Sequence, residues 1–293
     1  MEIPMHAIGF SSIMKQGDLD ELVEVTLLEP TYQNITTEKT KLKIAEYRRE
    51  VAPNTYIMVR VSITEENGQA SCFNIEECEA CVDSTIKTHV EEIEVEKLDE
   101  MLYYVVCEEK TTAMQLVFWL QNLVHYLNLS ALGKKPIGAS VLGVALEGTI
   151  ILPITKEADD EQFEEEERER FRTLVKRIRE GDETARDELE EEEQDIDDQL
   201  RERLKDEDFL TIMSGYFIPL SDDESIYAIL GDIIDIQTRT NNQTKEKMYV
   251  FTLDVNGMHL QVVINHLTLI GMPMVGMRFM GSCWLQGRVI MED

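Results

Sequence analysis

Apolar and polar residues alternate on both sides of Asn256-Gly257, and this stretch restricts the fold more than any other in the chain. Asn-Gly tolerates positive φ at both positions, so the favoured link is a two-residue type I′ turn, which fixes the register of a hairpin. Val255 then opposes Met258, Leu253 opposes Leu260, Phe251 opposes Val262 and Tyr249 opposes Ile264, giving one wholly apolar face. The other face presents Met248, Thr252, Asp254, His259 and Gln261. Around the hairpin, the pattern predicts a strand over 226–237, a short capped helix over Asn265 to Gly271, and a final strand region over 277–291 that Gly281 and Gly287 let bend.

That succession resembles a small curved β-barrel of the oligonucleotide/oligosaccharide-binding (OB) type. Upstream, residues 1–155 read as α+β. Asp18 to Leu28 is an amphipathic helix, and Ile57, Val59, Val61 and Ile63 alternate as a half-buried strand before an Asn67-Gly68 turn. Strands are expected over 86–96 and 101–107. Thr111-Thr112 then opens an apolar helix through Ala113 to Leu129, expected to be the buried centre of this part. Residues 139–154 read as two strands around Glu147-Gly148. The expected fold is therefore α+β, with an α+β domain (1–155), an acidic helical hairpin (156–212) and a β-barrel-like domain (213–293).

Charge sets the middle segment apart. The chain has 28 Lys and Arg against 58 Asp and Glu, a net charge of -30, and residues 157–208 hold 25 of those acids against 10 bases. Phe171, Leu174, Val175 and Ile178 recur at helical spacing, Gly181 suits a helix end, and Asp182 can cap a second helix carrying Ala185 and Leu189. So large an acidic excess repels phosphate backbones and anionic lipids alike, which argues against nucleic acid or a membrane surface as partner. The apolar run Ile137 to Ile154 carries Glu147 at its centre and does not read as a membrane span. Five cysteines without a secretion signal point to reduced thiols in the cytoplasm.

Several segments carry a family likeness: HAIGFS (His6 to Ser11), WLQNLVHYL (Trp119 to Leu127), FLTIMSGYFIPL (Phe209 to Leu220), YAILGDIIDI (Tyr227 to Ile236) and VGMRFMGSCWLQGRV (Val275 to Val289). The chain resembles, over most of its length, an uncharacterised bacterial family known only as a domain of unknown function. The resemblance implies a bacterial cytoplasmic protein and brings no active site to transfer.

Chemistry has two candidate locations. Cys78 and Cys81 form a CxxC that could contribute half of a metal site, although the second pair that a zinc ribbon needs is missing, and Glu76, Glu77 and Glu79 would raise a neighbouring thiol pKa. Gln121, Asn122 and His125 form a polar stripe that could line a ligand cleft, or simply be the hydrogen-bonded edge of a helix. Gly138 to Gly143 has one residue too many for a nucleophile elbow, Gly133-Lys134-Lys135-Pro136 lacks the spacing of a phosphate loop, and Asp195-Ile196-Asp197 breaks the calcium-loop pattern at Leu200. No motif implies a cofactor. These readings favour a non-catalytic interaction or regulatory protein with a protein partner. The competing readings are a metal- or thiol-dependent enzyme at Cys78 and Cys81, and single-strand binding through Tyr249, Phe251, Phe279 and Trp284.

Overall fold

The computed structural model describes residues 5–12, 16–40, 43–66, 69–154, 169–178, 181–182, 184–189, 205, 208–220 and 225–292, with backbone alone at 16, 65–66, 69–73 and 76. It is a mixed α+β structure made mostly of sheet. A short 3₁₀ turn (Met5–Ile8) and helix α1 (Gln16–Leu28) lead into a four-stranded antiparallel sheet, β1 (Tyr32–Ile35), β2 (Ile44–Ala52), β3 (Thr55–Glu66) and β4 (Gln69–Val82), paired in that order. Then come β5 (Val90–Lys97), β6 (Tyr103–Glu109), β7 (Gln115–Leu120), α2 (Leu123–Ser130) and the long β8 (Pro136–Ile151). Helical backbone follows at 169–178 (α3) and 184–189 (α4), and then α5 (Phe209–Ile212) and β9 (Tyr216–Pro219). The chain continues through β10 (Ile226–Thr240), β11 (Lys247–Val255), β12 (Met258–Asn265), β13 (Leu269–Ile270) and β14 (Arg278–Met291).

The large sheet runs β13-β8-β12-β11-β10-β14-β7-β6-β5, with β9 beside β10. Its pairings also return on themselves, because β14 lies antiparallel to β8 from Arg278 opposite Ile151 to Met291 opposite Pro136. The circuit β8-β12-β11-β10-β14-β8 is therefore closed, with one parallel seam where Gln261 to Val263 of β12 meet Leu142 to Val144 of β8. Inside it pack Val141 and Ala145, Phe251, Leu253 and Val255, Leu260, Val262 and Ile264, and Phe279, Cys283 and Leu285, all fully buried. The C-terminal strands do not close alone, since β8 from the first half of the chain stands between β12 and β14.

The Asn256-Gly257 hairpin has the expected register, Val255 with Met258 through Tyr249 with Ile264, and both turn residues have positive φ. Its second face is covered in part, with Asp254 half-exposed and His259 exposed. Met248, Val250 and Val263 pack with Met5, Ala7, Ile8 and Phe10, so Met248 is buried, and Gln261 is bound by Ser84 and Thr85.

Three expected elements differ. The helix over Ala113 to Leu129 is instead strand β7, a turn at Gln121-Asn122 and the shorter α2. Glu109 accepts hydrogen bonds from the backbone of Thr111 and Thr112 and Ala113 has φ 56°, so this segment forms a tight β6–β7 turn rather than a helix start. Leu116 to Leu120 is a continuous apolar run, for which periodicity does not separate strand from helix. In place of two strands over 139–154 there is one, β8, which ends at Ile151, because a bulge at Leu146 absorbs the irregularity within the β8–β14 ladder. Asn265 to Gly271 is a turn leading into β13: the Asn265 carboxamide accepts from Leu267 N, and Leu269-Ile270 then pairs with Gly148-Thr149.

α1 spans the predicted segment and packs Val23 on Val59 and Val61. Asn67-Gly68 lies outside the described residues, but Glu66 pairs with Gln69 across it. In the acidic segment Gly181 has φ 90° and Asp182 accepts from Thr184 N at the start of α4; residues 190–204 of the expected hairpin, including Ile196, Leu200 and Leu204, lie outside the described residues. Arg278 clamps the two ends of that segment, donating to Leu152 O, Leu210 O and Met213 O.

The Phe279 ring is packed against Gly148 and Gly281, and a Cβ on Gly148 would lie 2.3 Å from its Cε2. Overpacking of this kind costs typically about 1–3 kcal/mol. Urea denaturation is therefore expected to show Gly148→Ala destabilised by about 2 kcal/mol, whereas Gly17→Ala in α1, with nothing near its Cβ, is neutral or slightly stabilising.

Candidate functional site

The face of the four-stranded sheet that meets the large sheet carries charge. Residues alternate along β3, so Ile57, Val59 and Val61 face α1 and the N-terminal turn while Tyr56, Met58 and Arg60 face Trp119 and Trp284. Arg60 is completely buried, its guanidinium carbon 4.4 Å from the centre of the Trp119 ring. All five of its N–H groups are used. Nε donates to Glu46 at 3.0 Å, Nη1 to Glu77 at 2.9 Å and Met101 O at 3.4 Å, and Nη2 to Leu120 O at 2.8 Å and Gln121 O at 3.1 Å. Arg60 thus joins β2 and β4 of one sheet to the end of β7 in the other.

One strand over, Arg48 is 9% exposed and has a different environment. It makes one hydrogen bond, from Nη2 to Gln121 O at 2.9 Å, and its Nη1 lies 3.5 Å from Asp83 Oδ1. Arg288 of β14 reaches the same carboxylate, Nη1 to Oδ2 at 2.9 Å. These groups line a cleft of about 350 Å³ with Tyr32, Gln33 and Asn34 of β1, Glu46, Tyr56, Asn122 and His125. Tyr32 stands edge-on to Tyr56 at 5.8 Å. Burial, with Asp83 and Glu50 nearby, pushes the Tyr56 phenol up to about 12, so it stays an O–H donor at neutral pH.

Of the residues singled out from sequence, Asn122 and His125 line this cleft. Gln121 does not enter it as a side chain. Its amide donates to Val82 O and pairs with the Gln286 carboxamide, which accepts from Val82 N and donates to Ala80 O, so the two glutamines tie the β4 edge to β14. The Asn122 side chain bonds both backbone groups of Val289, which makes it a fastener as well as a wall.

Cys78 and Cys81 do not converge. Three residues apart on a strand, they face opposite ways: Cys78 packs with Val23, Val59 and Val61, Cys81 with Tyr56, Met58 and Trp119. Burial pushes both thiols up to about 12, and no group of three or more metal-ligating side chains occurs among the described residues. Sequence reasoning missed Arg48, Asp83 and Arg288. The available signal was an arginine inside a largely apolar strand, which Arg60 and Arg288 give, since a buried charge requires partners; Arg48 lies in the charged run Glu46 to Glu50 and Asp83 just beyond β4, and neither carries such a mark.

With this geometry in place, comparison with known proteins is informative at one level. Residues 5–287 match the family described as "Domain of unknown function, E. rectale Gene description (DUF3881)". The chain belongs to the DUF3881 family. No curated protein and no solved structure matches it. The DUF3881 match spans the Arg60 cluster and every residue of the cleft except Arg288, which lies one position beyond it.

Glu79 completes the charged layer. It faces the same side as Cys81, it is buried, and its Oε2 has no hydrogen-bond partner. Burial, reinforced by Glu77 and opposed by Arg60, pushes its carboxyl up to about 8. A folded-state pKa above the unfolded value means the native state holds the extra proton between about pH 4.5 and 8, so this group lowers stability progressively as pH rises through that window. Denaturation curves from pH 5 to 9 should show Glu79→Gln gaining on the wild type as pH rises, with the two closest near pH 5.

Proposed function

We propose that this chain is a non-catalytic interaction or regulatory protein of the bacterial cytoplasm, whose recognition site is the cleft between β1, β2 and the start of α2. The observation that carries this reading is Arg48, a buried guanidinium with one hydrogen bond, opening onto a cleft rather than into packed core. The volume of about 350 Å³ is at the small end of ligand sites, and its lining is mainly polar and charged with two tyrosine rings, so a ligand there is held by hydrogen bonds and charge more than by apolar burial. His125 and Asn122 on its wall give the polar stripe a role in this reading.

In the same reading the closed five-strand circuit is an OB-like barrel whose parallel-paired strand, β8, comes first in the chain order, and it serves as a rigid frame. A thiol or metal enzyme at Cys78 and Cys81 draws less support, because the two thiols face opposite sides of a strand. Single-strand binding draws less support too, because Phe251, Phe279 and Trp284 are buried.

Ligand-observed NMR with the whole chain tests the cleft. A mixed set of neutral, cationic and anionic small molecules should include at least one that receives saturation from the protein and loses it when Asn34→Trp fills the cleft. Binding that survives Asn34→Trp, or no binding by any compound, would contradict the reading.

A further inference from the structure

We infer that the ligand of this cleft presents a carboxylate, taken between the Arg48 and Arg288 guanidinium groups alongside Asp83; the inference rests on the cleft being the recognition site. The first argument is the contrast between neighbouring arginines. Arg60 has every N–H engaged and is a structural group, whereas Arg48, 9% exposed on the cleft wall, makes one hydrogen bond. A guanidinium presents its donors in a plane that matches a carboxylate in two-point contact.

Asp83 does not complete that match. Its Oδ2 is bound well by Arg288 at 2.9 Å, but its Oδ1 sits 3.5 Å from Arg48 and accepts no hydrogen bond. One carboxylate is thus shared by two guanidinium groups and fits only one of them.

Charge gives the second argument. Glu46, the other acid on the cleft wall, is bound to Arg60. Counted together, Arg48, Arg60 and Arg288 are matched by Asp83, Glu46 and Glu77, so the cleft wall is close to neutral in a chain whose total is -30, and a singly charged acid meets less repulsion there than a doubly charged one. A phosphate monoester would bring about -1.5 to -2 charges beside Asp83 and Glu46 and meet repulsion. The third argument is the remaining lining: Tyr56 and the exposed Tyr32 ring stand next to the charge and offer aromatic surface, so an acid attached to a planar or apolar group fits best.

The test is calorimetric titration of the full chain at constant ionic strength with sodium benzoate, its neutral counterpart benzamide, inorganic phosphate, and a tetrapeptide with a free or amidated C-terminus. Benzoate or the free-acid peptide is expected to bind, with benzamide, the amidated peptide and phosphate at least about tenfold weaker, the loss expected for a missing charge-assisted hydrogen bond. A free-acid peptide that outbinds benzoate assigns the carboxylate to a chain terminus, and the reverse assigns it to a small acid. Arg288→Met, at a half-exposed position, should weaken binding about tenfold, and Asp83→Asn, which removes the internal competitor, should tighten it, a gain that a purely structural ion pair would not give. Equal binding of benzamide or phosphate in the cleft would overturn the carboxylate assignment while leaving the recognition site in place. No binding by any of the five probes, or affinity unchanged in both variants, would also overturn it.

Discussion

The burial of Arg60 is the constraint around which the two sheets are arranged. A guanidinium taken wholly out of water is tolerated only when its charge is balanced and all its N–H groups are engaged. Two carboxylates from its own sheet, Glu46 and Glu77, supply the balance, and three carbonyls, Met101, Leu120 and Gln121, complete the set from the other side of the interface. Removing one partner of such a cluster typically costs about 3–5 kcal/mol, because the remaining charges stay buried without compensation. The face-to-face packing of Tyr56, Met58, Trp119 and Trp284 is apolar and non-directional, whereas the arginine fixes where the end of β7 must lie.

That position generates the cleft. Gln121 O accepts from both Arg60 and Arg48, so the same carbonyl that finishes one arginine's coordination anchors the other at the cleft wall. The chain turns at Gln121-Asn122 into α2, which brings His125 opposite β1, and the Asn122 side chain holds β14 so that Arg288 faces Asp83. A structural cluster and an open one therefore lie side by side on adjacent strands.

Legibility in the sequence followed the range of the interactions. The Asn256-Gly257 register could be read because a two-residue turn fixes every pair after it, and α1 and the Ile57 alternation could be read because their patterns are local. β7 was read as helix because Leu116 to Leu120 is apolar at every position, leaving no period to separate the two. The β8 circuit was hidden for another reason: its parallel seam joins Leu142 to Gln261 across more than a hundred residues, and neither strand carries a local mark of that partner. The cleft combines both cases. Asn122 and His125 stand out as polar residues in an apolar run, whereas Arg48 in the middle of β2, Asp83 just past β4 and Arg288 near the end of β14 are far apart in the chain and meet only once the sheets have packed.

The central claim is that two neighbouring buried arginines differ in kind, Arg60 saturated and Arg48 available. Hydrogen exchange at the arginine Nε–H groups, followed by ¹⁵N NMR on the full chain, reads this directly. The account predicts slow exchange at Arg60 with a resonance indifferent to benzoate, and faster exchange at Arg48 with a resonance that moves on titration. Slow exchange at both with no response from either, or a response confined to Arg60, would contradict it.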